Sequence, residues 1–237
     1  MSGTSAPGAA RAAVDYRLYL VTDSGLSRGR SNALVVAAAL RGGVTVVQYR
    51  EKEGATRQMV EEAGRIRRLC ADAGVAFIVN DRLDIALAVD ADGVHVGQED
   101  LPAAAARRLI GRGRILGVSA GSTEEALRAE ADGADYIGAS PVFDTPTKPD
   151  APAAVGVEGL RRMAAAVRVP VVGIGGMNAG NAAAVIAAGA SGVAVVSAIV
   201  SAEDVEAAAR AIRRVVDAAI TSLRSRPASS PPGGSST

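Results

Sequence analysis

Tryptophan is absent from this 237-residue chain, and aromatic residues of all kinds make up only 3% of it. A core with so few rings has to rely on alanine, valine, isoleucine and leucine, which belong to the 49% of residues that are hydrophobic. There is a single cysteine, so no internal disulfide can hold the fold together. Cys70 lies between Leu69 and Ala71 on a predicted helix without a histidine in its segment, which favours a buried structural thiol over a nucleophile.

Neither sign of charge dominates, since 26 basic residues face 25 acidic ones and the formal net charge is +1. This balance creates no overall field that would attract nucleic acid or an anionic membrane, and we expect neither partner. No apolar run approaches the ~20 residues that a membrane-spanning helix needs. The N-terminal segment MSGTSAPGAARAA lacks the basic start and apolar stretch of a secretion signal, so the sequence predicts a cytoplasmic protein.

One pattern recurs through the chain: a run rich in valine and isoleucine, a polar turn, and an alanine-rich helical stretch. Eight such units predict an α/β fold and favour a single (β/α)8 TIM barrel, although alternation alone also fits a doubly wound open sheet. The helices are predicted at 31–41, 56–73, 82–89, 102–110, 122–131, 157–167, 179–188 and 203–223. The barrel domain is predicted over residues 15–224, between a flexible arm at 1–14 and a disordered Ser/Pro/Gly-rich tail at 225–237.

Two acids, Asp81 and Asp100, each follow a short apolar run of the kind that forms a buried parallel strand. The segment between them, RLDIALAVDAD, has the length and spacing of a helix. A right-handed crossover through that helix brings both strand ends to one rim of the sheet. Two carboxylates gathered there make an oxygen site suited to Mg2+, a hard cation.

Candidate anion-binding groups follow the second and sixth predicted strands. Gln48, Arg50 and Lys52 share parity and point to one face if the chain stays extended, which suits an anionic substrate, although a solvated strand end gives the same pattern. The segment PVFDTPTKP opens a loop of about 16 residues, a length more typical of a lid or binding loop than of a connector. Its hydroxyls and Lys148 can donate to phosphate, and a proline-stiffened surface loop is the alternative.

The seventh and eighth predicted strands end in GIGGMN and VVSA. In many barrels these two ends bind a phosphate through main-chain N–H groups, and Gly175 and Gly176 leave that approach open, although tight turns also favour glycine. His95 lies inside the VHVG run, and we interpret it as a hydrogen-bonded structural histidine rather than a base. Ser119 ends the fifth strand and can touch substrate, but no histidine-based triad is available to make it a nucleophile.

These groups predict two anion sites around a metal, without a strong candidate for a general base, a Schiff base or a redox cofactor. Such a site favours a reaction in which a metal-bound diphosphate departs, because stabilising the leaving group then does most of the catalysis.

The blocks QYREK, VNDRLDIALAVDADGVHVGQEDLP, LGVS, PVFDTPTKPDA, GIGG and VVSAI, in this order, resemble the thiamine phosphate synthase family from about Tyr16 to Ile199. The resemblance implies transfer of the 4-amino-2-methylpyrimidin-5-ylmethyl group of hydroxymethylpyrimidine diphosphate to thiazole phosphate, giving thiamine phosphate and pyrophosphate. It also implies a dissociative reaction, in which pyrophosphate leaves before the thiazole nitrogen captures the methylene cation.

The same resemblance implies roles for individual residues. Asp81 and Asp100 would bind Mg2+. The pyrimidine diphosphate would contact Gln48, Tyr49, Arg50, Glu51, Lys52, Asn80, Ser119 and Lys148, and of these Arg50, Lys52, Ser119 and Lys148 would take part in catalysis. The thiazole phosphate would contact Thr145, Pro146, Thr147, Gly176, Val196 and Ser197. Assembly with further copies of the chain is left open.

Two positions depart from the family pattern. The family usually has histidine where this chain has Gly121, and a related barrel, the thiazole tautomerase, is thought to use that histidine for proton transfer. Gly121 therefore disfavours the tautomerase as the alternative enzyme. Ser140 replaces a frequent glycine, with little expected consequence. The alternative of another class is a non-catalytic barrel that binds thiamine phosphates, and the retained metal acids and TPTK segment disfavour it.

Overall fold

The computed structural model describes residues 13–145 and 153–225. Within them the strands are β1 Leu18–Val21, β2 Val46–Tyr49, β3 Ala76–Asn80, β4 Gly93–Val96, β5 Ile115–Ala120, β6 Tyr136–Ala139, β7 Val171–Ile174 and β8 Gly192–Val195. Each strand pairs in parallel with its neighbours in the sequence, and β1 pairs with β8. This closure confirms the predicted TIM barrel and excludes the open sheet.

Helices alternate with the strands around the outside of the barrel. They are α1 Asn32–Arg41, α2 Thr56–Asp72, α3 Leu83–Ala88, α4 Ala103–Ile110, α5 Thr123–Ala131, α6 Gly156–Ala166, α7 Ala182–Ala187, α8 Ser197–Val200 and α9 Val205–Arg224. The eight predicted helices are present, with ends that differ from the prediction by three residues or fewer. The short α8 and a 3-10 turn at Ser24–Leu26 were not predicted, because pieces of this length carry no readable hydrophobic period.

The core has two layers, one between the strands and helices and one inside the barrel. The outer layer is mostly alanine, valine, isoleucine and leucine, as the composition predicted. The inner layer contains Tyr16, Tyr19 and Tyr136 beside aliphatic side chains such as Val46 and Ile78. Three of the four tyrosines of the chain therefore lie in the small interior of the barrel, where a polar oxygen needs a hydrogen-bond partner.

Single side chains define two local features of the helix layer, the cap of α5 and the buried thiol of α2. The Ser122 hydroxyl caps α5 by accepting a hydrogen bond from the Glu125 N–H at 3.2 Å. The Glu125 carboxylate accepts the Gly121 N–H at 2.7 Å, one residue before the usual capping-box partner. Cys70 is fully buried on α2, and burial raises the pKa of its thiol to about 12, which confirms a structural thiol.

The described residues contain no helix that is both long and apolar enough to cross a membrane. The predicted N-terminal arm and C-terminal tail lie almost entirely outside the described residues. The C-terminal ends of all eight strands meet at one rim of the barrel, and the predicted functional residues follow those ends.

Candidate active site

The two predicted metal acids lie on this rim, after neighbouring strands. Asp81 directly follows β3 and adopts a left-handed backbone with a φ of 58°, while its N–H donates to the His95 carbonyl at 2.8 Å. Asp100 lies in the turn after β4, where its Oδ2 accepts the Gly97 N–H at 2.8 Å. Left-handed geometry is uncommon for aspartate, and here it directs the chain out of the strand and into α3 at the site.

The pKa of Asp81 is affected both by Asp100 and by the basic residues that follow β2. Burial, a hydrogen bond between the two carboxyl groups and the negative charge of Asp100, in that order, raise the pKa of Asp81 to about 7. The charges of Lys52 and Arg50 partly oppose this rise. Two acids and two cations predicted from separate segments of the sequence therefore interact at one place on the rim.

This donor set fits a hard divalent cation. Both acids offer carboxylate oxygens, and the pKa of Asp81 is raised first by burial and then by the neighbouring Asp100 carboxyl. No group of three or more histidine, cysteine or acidic side chains suited to a metal occurs in residues 13–145 and 153–225. A site with two carboxylates suits Mg2+, which usually keeps several waters and binds substrate phosphates.

The last two residues of β2 point to opposite sides of the sheet, one into the barrel and one into the helix layer. The Gln48 side chain points into the barrel, where its Nε2 donates to the Tyr19 hydroxyl at 2.9 Å. The Tyr49 side chain packs in the outer core, and its hydroxyl donates to Glu62 on α2 at 3.3 Å. The Tyr49 side chain faces away from the barrel because neighbouring positions in a strand point to opposite faces, and its contact with the substrate stays a prediction.

Arg50 is fixed in place, whereas Lys52 is exposed. The Arg50 guanidinium donates to Asp23 at 2.8 Å, and both side chains are largely buried, with 20% and 17% exposure. The Lys52 side chain lies on the surface, and the Glu51 carboxylate accepts the main-chain N–H groups of Lys52 and Glu53 at 2.9 and 3.1 Å. Asp23 was missed from the sequence, although its position just after β1 places it on the same rim.

Ser119 and His95 are joined at the ends of β5 and β4. The Ser119 hydroxyl lies 2.9 Å from His95 Nε2, and the Tyr136 hydroxyl lies 2.8 Å from Nδ1. His95 is thus a buried, hydrogen-bonded histidine, as predicted, and burial lowers its pKa to about 4. Asn80 ends β3 beside His95 in the sheet register and is half-buried.

The glycine pair after β7 has a structural reason that the sequence did not reveal. A Cβ on Gly175 would lie 2.6 Å from the Pro141 side chain, and one on Gly176 would lie 2.9 Å from the Phe143 side chain. Both glycines also have positive φ angles, of 97° and 65°. They allow the segment after β6 to pack against the end of β7, where the Val142 N–H donates to the Ile174 carbonyl at 2.8 Å.

The remaining predicted residues divide between rim positions and residues outside the described ranges. Val196 and Ser197 form the junction between β8 and α8, and Ser197 is exposed. Thr145 is half-buried at the end of the described part of the β6–α6 loop. Pro146, Thr147 and Lys148 lie outside the described residues.

Comparisons with known proteins match this chain over most of its length. A family model described as thiamine monophosphate synthase matches residues 18–199. The thiamine-phosphate synthase of Chloroflexus aurantiacus is 62% identical over 86% of this chain and 94% of its own length. That of Moorella thermoacetica is 58% identical over 85% and 96%. Among solved structures, thiamine phosphate pyrophosphorylase from Pyrococcus furiosus is 42% identical, with a TM-score of 0.81 over 87% of this chain and 98% of that one.

Proposed function

We propose, from the premise that this chain belongs to the thiamine monophosphate synthase family, that it joins hydroxymethylpyrimidine diphosphate to thiazole phosphate. The family membership makes the protein a transferase, a thiamine-phosphate synthase by activity. The proposal adds the two substrates, the metal, the residues that hold each of them, and a dissociative course of reaction. The location of the protein in the cytoplasm and its lack of nucleic-acid and membrane partners stay predictions.

The observation that carries the proposal is the convergence of Asp81 and Asp100 with Arg50 and Lys52. Two acids beside two cations form a poor site for a neutral ligand, but they suit a diphosphate bound together with a divalent cation. Asp81 and Asp100 would hold Mg2+ through their carboxylate oxygens. When bound, Mg2+ supplies positive charge that stabilises a departing diphosphate.

The protein's own cations would act on the same leaving group. Arg50 and Lys52 would bind the diphosphate oxygens, with Lys148 from the loop after β6. At ~4 Å and an effective dielectric constant near 20, one contact between unit charges is worth roughly 4 kcal/mol before the cost of desolvation. Because Arg50 is already oriented by Asp23, its contribution needs little reorganisation when charge develops on the leaving group.

The two substrates would contact different residues of the rim. Gln48, Asn80 and Ser119 would contact the pyrimidine diphosphate from the ends of β2, β3 and β5. Thr145, Pro146, Thr147, Gly176, Val196 and Ser197 would hold the phosphate of the thiazole. The thiazole nitrogen carries a free electron pair, so the capture step requires no base, and the buried His95 is not needed for one.

The alternative enzyme, a thiazole tautomerase, lacks a suitable acid or base at the position of Gly121. That residue has no side chain, and its N–H donates to Glu125 at the start of α5. We therefore propose the synthase alone.

A pyrophosphate-release assay tests the proposal. Both substrates together with Mg2+ should release pyrophosphate and form thiamine phosphate, and removal of Mg2+ with a chelator should stop both. Each substrate alone is the control, and Asp84→Asn is a matched variant because Asp84 is an exposed acid close in sequence to Asp81, paired with Arg82. Binding of both substrates without release of pyrophosphate would support a non-catalytic barrel instead.

A further inference from the structure

A continuous chain of hydrogen bonds crosses the interior of the barrel between two residues of the proposed substrate site. The Gln48 amide donates to the Tyr19 hydroxyl at 2.9 Å, and the Tyr19 and Tyr136 hydroxyls are 2.7 Å apart. The Tyr136 hydroxyl lies 2.8 Å from His95 Nδ1, and His95 Nε2 lies 2.9 Å from the Ser119 hydroxyl. All of these residues except Ser119 are at most 8% exposed.

Two glycines in the barrel strands leave space for the side chains that form these hydrogen bonds. A Cβ on Gly117 would lie 2.2 Å from the Tyr136 ring, and one on Gly138 would lie 3.2 Å from the His95 ring. Aliphatic side chains would fill the same volume without the cost of burying polar groups. A buried polar network is tolerated when every member has a partner, and then it holds its members in one arrangement.

One order of protons gives each link a donor and an acceptor and also leaves neither tyrosine hydroxyl proton without an acceptor. The Gln48 Nε2 can only donate, so the Tyr19 oxygen accepts this hydrogen bond. The Tyr19 hydroxyl then donates its own hydrogen bond to the Tyr136 oxygen. Tyr136 then donates to His95 Nδ1, which has to be the unprotonated nitrogen of a neutral ring. The proton of that ring is therefore on Nε2, where it is donated to the Ser119 oxygen. The proton of Ser119 is left to point away from His95.

We propose that His95, held by Tyr19 and Tyr136 in its Nε2–H form, positions the Ser119 hydroxyl as a hydrogen-bond donor to the pyrimidine diphosphate. The two tyrosines and His95 are positioning residues that act through Ser119. This inference rests on the proposed function, in which Ser119 contacts that substrate. Without the network the hydroxyl rotates freely and also points its oxygen lone pairs at the substrate.

The position of the proton can be measured without any activity. His95 is the only histidine of the chain, so protein labelled with 15N-histidine and made without a histidine tag gives one imidazole in a nitrogen NMR spectrum. We expect the pattern of a neutral ring protonated at Nε2. Tyr136→Phe, which removes the hydroxyl but keeps the ring, should replace it with a mixture of the two neutral forms. An Nδ1–H ring or a doubly protonated ring in the unaltered protein would overturn the proposal.

Kinetics then test whether His95 acts through Ser119. His95→Gln keeps an N–H donor near the position of Nε2, whereas His95→Leu keeps the bulk and loses the donor. We expect kcat to fall about tenfold in the leucine variant and to be largely restored in the glutamine variant, with KM changed less.

The same pair of variants in a Ser119→Ala background is the deciding control. If His95 acts through the hydroxyl, the two double variants have equal kcat. A difference that persists without the hydroxyl shows a merely structural role and overturns the proposal. Should the leucine variant not fold, Tyr136→Phe measured with and without Ser119→Ala gives the same comparison. An inactive unaltered protein would refute the proposed function, while the NMR result would still decide the proton order.

Discussion

Asp23 holds the guanidinium of Arg50 through a hydrogen-bonded ion pair of 2.8 Å that links the ends of β1 and β2. The neighbouring Thr22 hydroxyl accepts the Arg50 main-chain N–H at 2.9 Å and lies 3.2 Å from the Arg50 carbonyl. Both the side chain and the main chain of Arg50 are therefore fixed by the end of β1. A cation held in this way can stabilise developing charge without first being reoriented.

Asp23→Ala should lower kcat for pyrophosphate release about tenfold or more while KM changes less than about threefold. The lost group is negative, so the site does not become less attractive to a diphosphate, and the loss of orientation appears mainly in kcat. Asp15→Ala is the matched control, because it also removes a partner from an arginine, Arg17, but lies before β1 rather than after it. An unchanged kcat in Asp23→Ala would show that the ion pair between Asp23 and Arg50 contributes only to stability.

Asp81→Asn and Asp100→Asn should each reduce turnover about a hundredfold or more at saturating substrate. The metal-free Asp81→Asn protein should melt at the same temperature or higher at pH 8, because the raised pKa of Asp81 means that its ionised form is unfavourable in the folded state. This unfavourable effect is absent below about pH 4, where the carboxyl is protonated in both states, and complete above about pH 7.

The control for both acids is Asp84→Asn, which should keep turnover and melting temperature close to those of the unaltered protein. Calorimetry and steady-state kinetics measure the two quantities separately. Unchanged turnover in the Asp81 and Asp100 variants would remove these residues from the metal site.

Magnesium binding should depend on pH through Asp81. The metal-free carboxyl has a pKa raised to about 7, so below that pH the ion has to displace a proton. One displaced proton weakens the apparent affinity about tenfold for each pH unit below 7, and the affinity should level off above it. Titration calorimetry in two buffers of different ionisation enthalpy measures both the affinity and the proton. The same affinity at pH 5.5 and pH 8 would contradict a metal bound by this acid.

The sequence predicted the barrel and much of its rim because both depend on residue patterns within short segments of the chain. Asp81 and Asp100 each follow an apolar run, and parallel strands bring such positions to one edge. Parity predicted that Gln48 shares a face with Arg50 and Lys52, and the same argument places the Tyr49 side chain on the opposite face. The hydroxyl contact between Tyr19 and Tyr136 spans 117 residues and has no local pattern, so only the folded structure reveals it.

The two lysines of the chain, Lys52 and Lys148, offer a direct test of the diphosphate site. An amine-selective reagent can modify only these side chains and the N-terminus, and we expect modification to inactivate the enzyme. Pyrophosphate with Mg2+ should protect both lysines, because their charges would then be engaged by the anion. Peptide mass spectrometry locates each label.

Lys148→Ala complements the labelling by testing one of the two lysines alone. It should raise KM for the pyrimidine diphosphate, lower kcat, or do both, since a cation would be lost from the bound leaving group. Lys148→Arg is the control that keeps the charge. Unaltered KM and kcat in the alanine variant, with full labelling of Lys148 in the presence of pyrophosphate, would remove this residue from the site.

Gly117→Ala should destabilise the fold because the new methyl group has no space inside the barrel. Its Cβ would lie 2.2 Å from the Tyr136 ring, which packs against Tyr16 and is hydrogen-bonded to its neighbours, so the ring cannot move away freely. Overpacking of this kind costs about 1–3 kcal/mol, and the free energy of unfolding in urea measures it. Gly113→Ala is the matched control, because nothing lies within 4 Å of a Cβ there. Equal stability of the two variants would mean that the barrel interior is loose enough to absorb the methyl group, and the tyrosine network could not then hold His95 in one arrangement.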